Sequence, residues 1–511
     1  MVAAGILLSR IIGLVRNRVF AHYFGTSDAA DAFNAAFRIP NFLQNLFGEG
    51  VLSASFIPVY ASLRARDRER DASAVAAAVA TLLALSVSLL VLAGILLAPW
   101  LIDLIAPGFE GEKRAATIRL VRIFFPGAGL LVLSAWCLGI LNSHRRFFLS
   151  YAAPVVWNLA IIGALVGFGS RFADYPLAEI AAWGSVVGSL AQFAVQLPTV
   201  LRLRGAAVPT GLGSRAVRAI LANFWPVFLG RGVVQISAYV DTLLASLLPT
   251  GAVAGVAYAQ VLYTLPVSLF GMSVSAAELP EMSSAAGEAA ARAAALRERL
   301  ARGLRQIAFF VVPSAVVFLA LGDVVTAALY QTGEFTRAMA LYVWAILAGS
   351  AVGLLPATLA RLYASTYYAL HDTRTPLRFA VLRVALGLGL GYLFAVHLPP
   401  ELGLDRRWGA AGLTLASALA GWVEYLLLKR ALRVRIGSAS LPAGFLARIW
   451  AGAALAGGAA WLLRGAVPVQ HPVIGAIFLL GTFGAVYLGT TFAAGVPEAR
   501  VAAARILRRQ A

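Results

Sequence analysis

Long apolar stretches recur along the whole chain, and they constrain its fold more than any other feature. Of its 511 residues, 60% are hydrophobic and only 13% are charged, and the mean hydropathy is +0.82. A helix of roughly 20 apolar residues crosses the hydrocarbon core of a bilayer. Because lipid offers the backbone no hydrogen-bonding partners, such stretches must be helical when they cross it. The sequence therefore predicts an all-α polytopic membrane protein.

Charged residues and Pro or Gly breaks divide the apolar sequence into about fourteen spans of membrane length. No charged segment with a small-residue cleavage site precedes the first span, so we expect a retained helix and not a signal peptide. The predicted spans lie near 3–24, 29–58, 75–105, 117–141, 151–170, 178–200, 218–248, 251–283, 306–330, 338–369, 377–397, 409–428, 444–463 and 472–495.

The net charge of +19 is explained by membrane topology and does not require a nucleic acid as partner. Loops on the side of the N-terminus hold most of the arginines, as in 64–70, 292–305 and 429–435, and the opposite loops hold few. The positive-inside rule then places both termini in the cytoplasm, which an even number of spans requires. The basic loops are expected to contact anionic lipid.

The residue patterns that usually carry catalysis or metal binding are missing from the sequence. Cys137 is the only cysteine, and the five histidines show neither HxxxH nor HExxH spacing. The segment "GLGLG" (387–391) lies in a predicted span, where glycine favours close helix packing over phosphate binding. We therefore expect a protein that is not an enzyme and that holds no metal or organic cofactor.

Proline-marked segments recur at a nearly fixed offset of about 222 residues, which is typical of a duplicated transporter fold. Pro40 pairs with Pro266, and "NLFGEGVLSASFIP" (45–58) is similar to "SLFGMSVSAAELP" (268–280). The first twelve spans thus predict two six-helix lobes. Since six is even, the lobes are expected to be related by an axis along the membrane normal, with a substrate cleft near the midplane.

The repeat divides the chain into three predicted regions. The N-terminal lobe is expected over 1–206, the C-terminal lobe over 207–435, and two extra helices with a cytoplasmic tail over 436–511. The joining segment "RLRGAAVPTGLGSRAVR" (202–218) is basic and rich in glycine. This composition favours a cytoplasmic linker between the lobes.

One face of the second span is polar. Its polar residues are spaced by 3 or 4 and fall within roughly a 90° arc of the helix, which favours a face exposed to water or ligand. A buried packing network of asparagines is the alternative, and for Asp31 alone a helix cap at the outer edge is favoured. The eighth span has the same geometry with mostly neutral residues. The two sets are Asp31, Asn34, Arg38, Asn41, Asn45 and Glu49, and Gln260, Thr264, Ser268, Gly271, Ser275 and Glu278.

The first span carries Arg10, Arg16 and Arg18 within a stretch that is otherwise apolar. An arginine held in hydrocarbon costs at least about 2.5 kcal/mol, so Arg10 and Arg16 are not expected to face lipid. Arg18 can reach the outer interface. We expect Arg10 and Arg16 to face the cleft and bind an anion, because a planar guanidinium suits phosphate oxygens.

The stretch "SRIIGLVRNRVFAHYFGTSDAADAFNAAFRIPNFLQNLFGEGVLSASFIPVYASL" (9–63) resembles the opening of the MurJ (MviN) family of lipid II flippases. This family belongs to the multidrug/oligosaccharidyl-lipid/polysaccharide (MOP) exporter superfamily, to which the MATE transporters also belong. The resemblance continues in the expected order through "APGF" (106–109), "GILNSHRRFFLSYAAPVVWN" (139–158), "VQISAYVDTLLAS" (234–246), "QTGEFT" (331–336) and "YYALHDTRTPLRFA" (367–380).

The resemblance implies a fourteen-helix flippase of the bacterial inner membrane, active in cell wall biogenesis. Its cargo would be lipid II, the undecaprenyl-pyrophosphate-linked peptidoglycan precursor, moved from the inner to the outer leaflet by alternating access. The implied partners are this lipid-linked oligosaccharide pyrophosphate, the surrounding membrane lipids and the cell-wall synthesis machinery. The family's first-helix arginines match Arg10 and Arg16, and its second-helix acids match Asp31 and Glu49. The polar stripe of the second span, the internal repeat and the family resemblance together predict the substrate-binding residues. These are Arg10, Arg16, Arg38, Asn41, Asn45, Glu49 and Arg231.

Other positions depart from the family pattern. Gln44, Val261 and Thr264 stand where the family has charged residues. Three alternatives therefore stay open: a paralogue that flips another polyprenyl-linked glycan, a MATE-like drug or cation exporter, and a non-transporting membrane scaffold. For coupling, the candidates are a monovalent cation or the membrane potential. Asp241 in the seventh span is the candidate cation site, and Arg383 is the residue that could instead pair with it internally.

Overall fold

The computed structural model describes residues 2–46, 52–205, 214–283, 289–466 and 471–507. These residues are helical apart from turns, loops and one isolated β-bridge between Thr332 and Phe335, which confirms the predicted all-α class. The chain divides into two compact units.

The first unit comprises Met1–Ala254 and Thr332–Phe335. Its hydrophobic core contains the buried side chains of Phe56, Tyr60 and Cys137, so the cysteine serves packing. Its helices are α1 (Val2–Phe24), α2 (Asp28–Leu43), α3 (Ser53–Ala65), α4 (Glu69–Ile105), α5 (Gly111–Ser143), α6 (Phe147–Phe168), α7 (Asp174–Arg204) and α8 (Arg215–Ser246).

The second unit comprises Gly255–Gln331 and Thr336–Ala511. Its helices are α9 (Ala252–Pro266, of which the first turn counts with the first unit), α10 (Ser273–Ser283), α11 (Ala289–Ala320), α12 (Gly322–Tyr330), α13 (Arg337–Ala351), α14 (Leu354–Ala369), α15 (Arg374–Tyr392), α16 (Leu398–Glu401), α17 (Gly409–Ile436), α18 (Ala443–Ala466), α19 (Pro472–Ala493) and α20 (Pro497–Leu507).

The short segment Thr332–Phe335 counts with the first unit because it docks on the end of α1. The backbone N–H of Glu334 donates to the carbonyl of His22 at 2.8 Å, and His22 Nδ1 lies 2.9 Å from Thr332 Oγ1. Gly333 has φ +52°, and a Cβ there would lie 2.4 Å from the His22 carbonyl oxygen. Only glycine therefore fits this turn of the "QTGEFT" segment.

The number of membrane spans differs between the prediction and the structure. Ten helices of the described chain are long and apolar enough to cross a bilayer, or eleven if α13 and α14, bent by 43°, count as one span. The predicted count of fourteen is not confirmed. The predicted lobe boundaries stay a prediction, and by contacts α8 groups with the first unit.

The two proline-containing stripe helices share a backbone feature. Pro40 lies inside α2, and a π-helical turn follows at 44–46. Pro266 ends α9, and a π-helical segment, Val267–Met272, leads into α10. Proline removes a helical hydrogen bond and so permits the local change in winding. The repeat predicted from these prolines is thus matched by a common break in both helices.

The ninth predicted span, 306–330, differs from the structure at both ends. Helix α11 begins at Ala289, seventeen residues before the predicted start of the span, and ends at Ala320. The backbone changes direction at Leu321, which has φ −127° and ψ 11°, and Gly322–Tyr330 forms the separate helix α12. Alanine, leucine, arginine and glutamate are strong helix formers, so α11 continues through the basic segment where hydropathy is low.

Candidate substrate-binding residues in the two units

Arg16 is held by side chains of the first unit that orient its guanidinium. Helix α1 packs against α6, and the Arg16 guanidinium carbon lies 5.1 Å from the ring centroid of Trp157. Its Nη2 donates to Asn17 Oδ1 at 2.8 Å, and Trp157 Nε1 donates to Ser185 Oγ at 3.1 Å. Arg16 is half-buried, and Arg10, two turns earlier, is exposed. Cation–π stacking of this kind fixes the orientation of a guanidinium.

The polar stripe of α2 runs from a buried end to an exposed end. Asp31 is 1% exposed, Asn34, Arg38 and Asn41 are half-buried, and Asn45 is exposed. Asn34 Nδ2 donates to the Ala30 carbonyl at 2.8 Å within the same helix. The accessible part of the stripe therefore begins beyond Asn34.

Asn41 lies in a groove of the first unit. Its lining includes Phe37, Asn41 and Gln44 of α2, facing Ser185 and Ser189 of α7, with apolar side chains of α5 completing it. Ser189 Oγ donates to the Ser185 carbonyl at 2.8 Å. Both serines are buried, and Ser185 Oγ accepts from Trp157 Nε1, so Asn41 and Gln44 carry the polar groups that remain for a ligand. Sequence reasoning missed the two serines, which the small-residue pattern "WGSVVGSL" (183–190) could have indicated.

Arg38 and Asp241 lie close enough in the first unit for their charges to interact. The Tyr239 hydroxyl, on the same helix as Asp241, donates to the Arg38 carbonyl at 3.0 Å. Asp241 is half-buried. The predicted cation-site carboxylate is therefore the neighbour of an arginine that we predicted to bind substrate.

Asp31 joins the ends of several segments of the first unit. Its Oδ2 accepts from Lys113 Nζ at 2.7 Å and from the Gly251 N–H at 2.8 Å, and its Oδ1 accepts from the Ala254 N–H at 2.7 Å. Lys113 also pairs with Asp28 at 2.7 Å. A carboxylate that satisfies two backbone donors and an ammonium group is a structural cap, so Asp31 does not belong to the substrate site.

Two predicted site residues cannot be placed. Glu49 and the side chain of Arg231 lie outside the described residues. The structure thus brings Arg38 near Asp241 and sets Asn41 in the groove with Gln44. The roles of Arg10, Arg16, Arg38, Asn41, Asn45, Glu49, Arg231 and Asp241 stay predictions.

The stripe of α9 and α10 in the second unit is accessible only in its first half. Gln260 and Thr264 are exposed, and Gln260 Nε2 donates to Thr264 Oγ1 at 3.3 Å. Further along, Ser275 is buried, and Glu278 lies 3.7 Å from Arg299. The acid at the end of this stripe is therefore held in an ion pair, and the accessible half is uncharged.

A charged cluster in the second unit was missed by sequence reasoning. Arg383 Nε of α15 lies 3.2 Å from Glu424 Oε2 of α17, and Arg361 of α14 is an electrostatic neighbour of both. Arg383 thus has Glu424 as an ion-pair partner, an arrangement the sequence did not predict. Charged residues inside three apolar spans were the available signal, but only the fold shows that these three meet.

A second ionic cluster lies around Asp323, which is 2% exposed. Arg464 donates to its Oδ2 at 2.7 Å and to its Oδ1 at 3.2 Å, and Arg337 lies 2.5 Å from Oδ2. The bidentate Arg464–carboxylate pair is a strong, directional contact. It fixes α18 to α12 and α13 within the second unit.

The fold is shared by two solved membrane-protein chains. A solved chain titled "Inward-facing conformation of a multidrug resistance MATE family transporter of the MOP superfamily" matches with a TM-score of 0.65 and 16% identity, covering 84% of this chain and 96% of that one. A solved "Lipid II flippase MurJ, inward closed conformation" matches with a TM-score of 0.78 and 23% identity, covering 96% of this chain and 97% of that one.

Sequence comparison identifies the family. Residues 20–483 match the family model described as "Lipid II flippase MurJ". The "Lipid II flippase MurJ" of Burkholderia cenocepacia is 30% identical over 84% of this chain and 82% of its own length. The "Probable lipid II flippase MurJ" of Rhizobium meliloti is 31% identical over 84% of this chain and 78% of its own length. The chain belongs to the MurJ family of lipid II flippases.

Proposed function

We propose that this chain moves lipid II, the undecaprenyl-pyrophosphate-linked peptidoglycan precursor, from the inner to the outer leaflet of a bacterial cytoplasmic membrane. The membership of the chain in the MurJ family supports this cargo. Transport of this kind makes and breaks no covalent bond, so the protein acts as a transporter and not as an enzyme.

The observation that carries the proposal is the position of three arginines in the first unit. Arg10 is exposed, and Arg16 and Arg38 are half-buried, on helices α1 and α2 whose surroundings are largely apolar. The Trp157 ring and the Asn17 amide orient Arg16. Guanidinium groups held in this way recognise the oxygens of a pyrophosphate in two-donor contacts. The neutral groove at Asn41 and Gln44 is suited to the sugar hydroxyls of the same cargo.

We further propose alternating access as the transport mechanism. Both stripe helices break after a proline, at 44–46 in one unit and at Val267–Met272 in the other. Such breaks allow a helix to bend without unfolding. Solved MATE transporters of the same fold are titled as inward-facing and outward-facing conformations, which supports a two-state transport cycle.

Energy coupling is proposed to act on the neighbouring charges of Arg38 and Asp241. A monovalent cation at the Asp241 carboxylate, or the membrane potential acting on the pair, would change how strongly Asp241 competes with an anionic cargo for Arg38. Both termini are proposed to lie in the cytoplasm, in accordance with the arginine-rich loops. The cell-wall synthesis machinery is the proposed protein partner, because it supplies and consumes this cargo.

A second candidate is a paralogue that flips a different polyprenyl-linked glycan. Gln44 lies in the groove of the first unit, and the exposed half of the α9 stripe carries Gln260 and Thr264 without charge. Fewer charges beside the cargo favour a headgroup with fewer acidic groups than the peptidoglycan precursor.

Complementation tests the proposed cargo. A strain depleted of its own lipid II flippase should grow when this chain is expressed, and proteoliposomes that contain it should expose lipid II to an external reagent. The paralogue is indicated instead if the chain is inserted and abundant, fails to rescue growth, and transports another polyprenyl-pyrophosphate glycan in the same proteoliposomes.

A further inference from the structure

Arg361 places a charge inside α14, which together with α13 forms a bent pair of helices long and apolar enough to cross a membrane. It lies in α14, within the largely apolar sequence "LLPATLARLYAS" (354–365). The residues that follow it, Leu362 and Tyr363, are buried in the unit, whereas the Arg361 side chain is exposed. Ionisable side chains in such helices are rare and face either a protein interior or a water-filled space. Arg361 therefore requires a role.

Ionisable side chains of three other helices lie near enough to Arg361 for their charges to act on it. The charges that act on it come from Tyr263 of α9, Arg383 of α15 and Glu424 of α17. Glu424 lies 3.2 Å from Arg383, so the carboxylate makes its direct contact with the other arginine. From the residues that the structure describes, no hydrogen bond or ion pair reaches the Arg361 guanidinium. Its donors are available to a ligand.

Tyr263 connects this arginine to the polar stripe of α9. It directly precedes Thr264, whose exposed side chain accepts a hydrogen bond from Gln260. The accessible half of the stripe offers neutral donors and acceptors, and Arg361 is the cation on its flank. A surface of this kind combines groups for hydroxyls with one group for an oxyanion.

We propose that Arg361 binds a phosphate oxygen of the pyrophosphate linkage of the transported lipid. It thereby supplies the second unit with the positive charge that the exposed stripe of α9 lacks. The inference rests on the proposed function, since it takes the cargo to be pyrophosphate-linked. The Glu424 carboxylate makes its ion pair with Arg383, and the donors of the Arg361 guanidinium remain for the cargo.

The test is the affinity of the purified full-length protein for undecaprenyl pyrophosphate, with the uncharged undecaprenol as comparison. The wild-type protein should prefer the pyrophosphate. Arg361→Gln should weaken pyrophosphate binding about tenfold and leave undecaprenol binding unchanged, because only the first ligand offers an oxyanion. Arg361→Lys should lose about threefold, since it keeps the charge without the planar two-donor geometry.

Two controls separate this role from a structural one. Arg378→Gln removes an exposed arginine of α15 and should leave both affinities unchanged. If Arg361 served only to balance Glu424, the double variant Arg361→Gln with Glu424→Gln would regain wild-type affinity. The proposal expects the double variant to bind pyrophosphate as weakly as Arg361→Gln. Thermal unfolding of every sample shows that it is folded, and Arg361→Lys carries the test if Arg361→Gln does not fold.

The possible failures are distinguishable. Wild-type preference for the pyrophosphate, together with unchanged binding by folded Arg361→Gln or recovery in the double variant, overturns the role of Arg361 alone. A wild-type protein that binds undecaprenyl pyrophosphate no better than undecaprenol removes the proposed cargo and this inference together.

Discussion

Helix α2 of the first unit and helix α9 of the second unit carry matching polar stripes on matching backbones, yet they differ in charge. Each helix has a proline followed by π-helical winding. The stripe of α2 includes Arg38, whereas the exposed part of the α9 stripe has Gln260 and Thr264. The two stripes thus share the proline and the π-helical winding that follows it, and they differ in the charge of their accessible residues.

The second unit carries charge on other helices. Arg361, Arg383 and Glu424 lie on α14, α15 and α17 and meet near Tyr263 of α9. A charge beside a binding surface can be supplied by any helix that packs there, whereas a bend must lie in the helix that bends. This difference accounts for stripes that share their prolines and differ in their charges.

The largest expected effect is loss of transport in α1 of the first unit. Arg10→Ala and Arg16→Ala should each reduce lipid II transport about 100-fold or more at normal folded yield, because each removes a charge-assisted contact to the cargo. Gln260→Ala on α9 should reduce it less than about threefold, since a neutral hydrogen bond contributes less. Transport in proteoliposomes, divided by the amount of folded protein, is the measurement.

Two substitutions sharpen this comparison. Arg16→Lys should recover only part of the transport, because it keeps the charge and loses the planar contact with the Trp157 ring. Arg18→Ala should be mild. Wild-type transport by well-folded Arg10→Ala and Arg16→Ala proteins would contradict the anion site of the first unit.

The next effect concerns stability and compares the buried carboxylates of the two units. Asp31→Ala should lower the free energy of unfolding by about 3–5 kcal/mol, because two buried backbone N–H groups lose their acceptor and Lys113, only 15% exposed, keeps only Asp28 as ion-pair partner. Asp323→Ala should cost about 1–3 kcal/mol, since Arg337 and Arg464, 40% and 38% exposed, can regain water. Thermal unfolding in detergent gives the order of the two effects.

The exposed pair of Asp103 with Arg114 provides the control for both carboxylates. Its side chains are 50% and 38% exposed, so Asp103→Ala should change the stability far less than either buried carboxylate does. A larger loss of stability in Asp323→Ala than in Asp31→Ala would show that the exposed fraction of the paired cationic side chains does not determine the cost.

A smaller effect is expected at the two prolines. Pro40→Ala and Pro266→Ala should each slow transport several-fold, because a restored backbone N–H favours continuous α-helix over the π-helical break. The two effects should be similar if both helices bend in the cycle. Initial transport rates measure this, and a slow Pro40→Ala beside a wild-type Pro266→Ala would restrict the moving element to the first unit.

The smallest expected effect is the pH dependence of stability. It differs between the turn that joins α5 to α6 and the turn that joins α14 to α15. Burial and the Arg64 charge lower the pKa of His144, so the unfolded chain binds the proton more readily. Its contribution to stability is complete above about pH 6.5 and declines as the pH falls below that value. Hydrogen bonds from Thr375, assisted by Arg435, lower the pKa of Asp372 to about 2. That contribution is complete above about pH 4 and is lost as the pH falls towards 2.

The unfolding midpoint measured from pH 8 to pH 2 checks both turns. His144→Gln should flatten the part of the curve below pH 6.5, and Asp372→Asn should flatten only the part below pH 4. A His144→Gln curve that runs parallel to wild type throughout would show that the imidazole does not couple folding to pH in the first unit.

The helical class, and the prolines at which the winding of two helices changes, were predictable from the sequence, because both depend on local chemistry. Apolar runs in a bilayer must be helical to satisfy their own backbone, and proline breaks the hydrogen-bond ladder wherever it lies. The prediction of polar faces on α2 and α9 also depended only on spacing. The sequence also favoured a cap at Asp31, but it could not show that Asp31 accepts from the N–H groups of Gly251 and Ala254 or that the face of α9 ends in an ion pair at Glu278.

The limits of hydropathy explain the error in the ninth span. A hydropathy window finds the apolar part of a helix, and Ala289–Ala320 continues through a basic segment whose residues favour helix without favouring lipid. The same limit applies to the count of fourteen spans, since α1 carries three arginines and is not among the ten apolar helices.

By itself, the sequence determined that the chain is a helical membrane protein, duplicated around bending prolines, with arginines too costly to leave in lipid. Tertiary structure alone decided which charges meet. Arg361, Arg383 and Glu424 are separated by twenty residues or more along the chain, and so are Asp323 and Arg464. Electrostatic attraction acts over a few ångströms, so partners distant in sequence become partners only when packing brings their helices together.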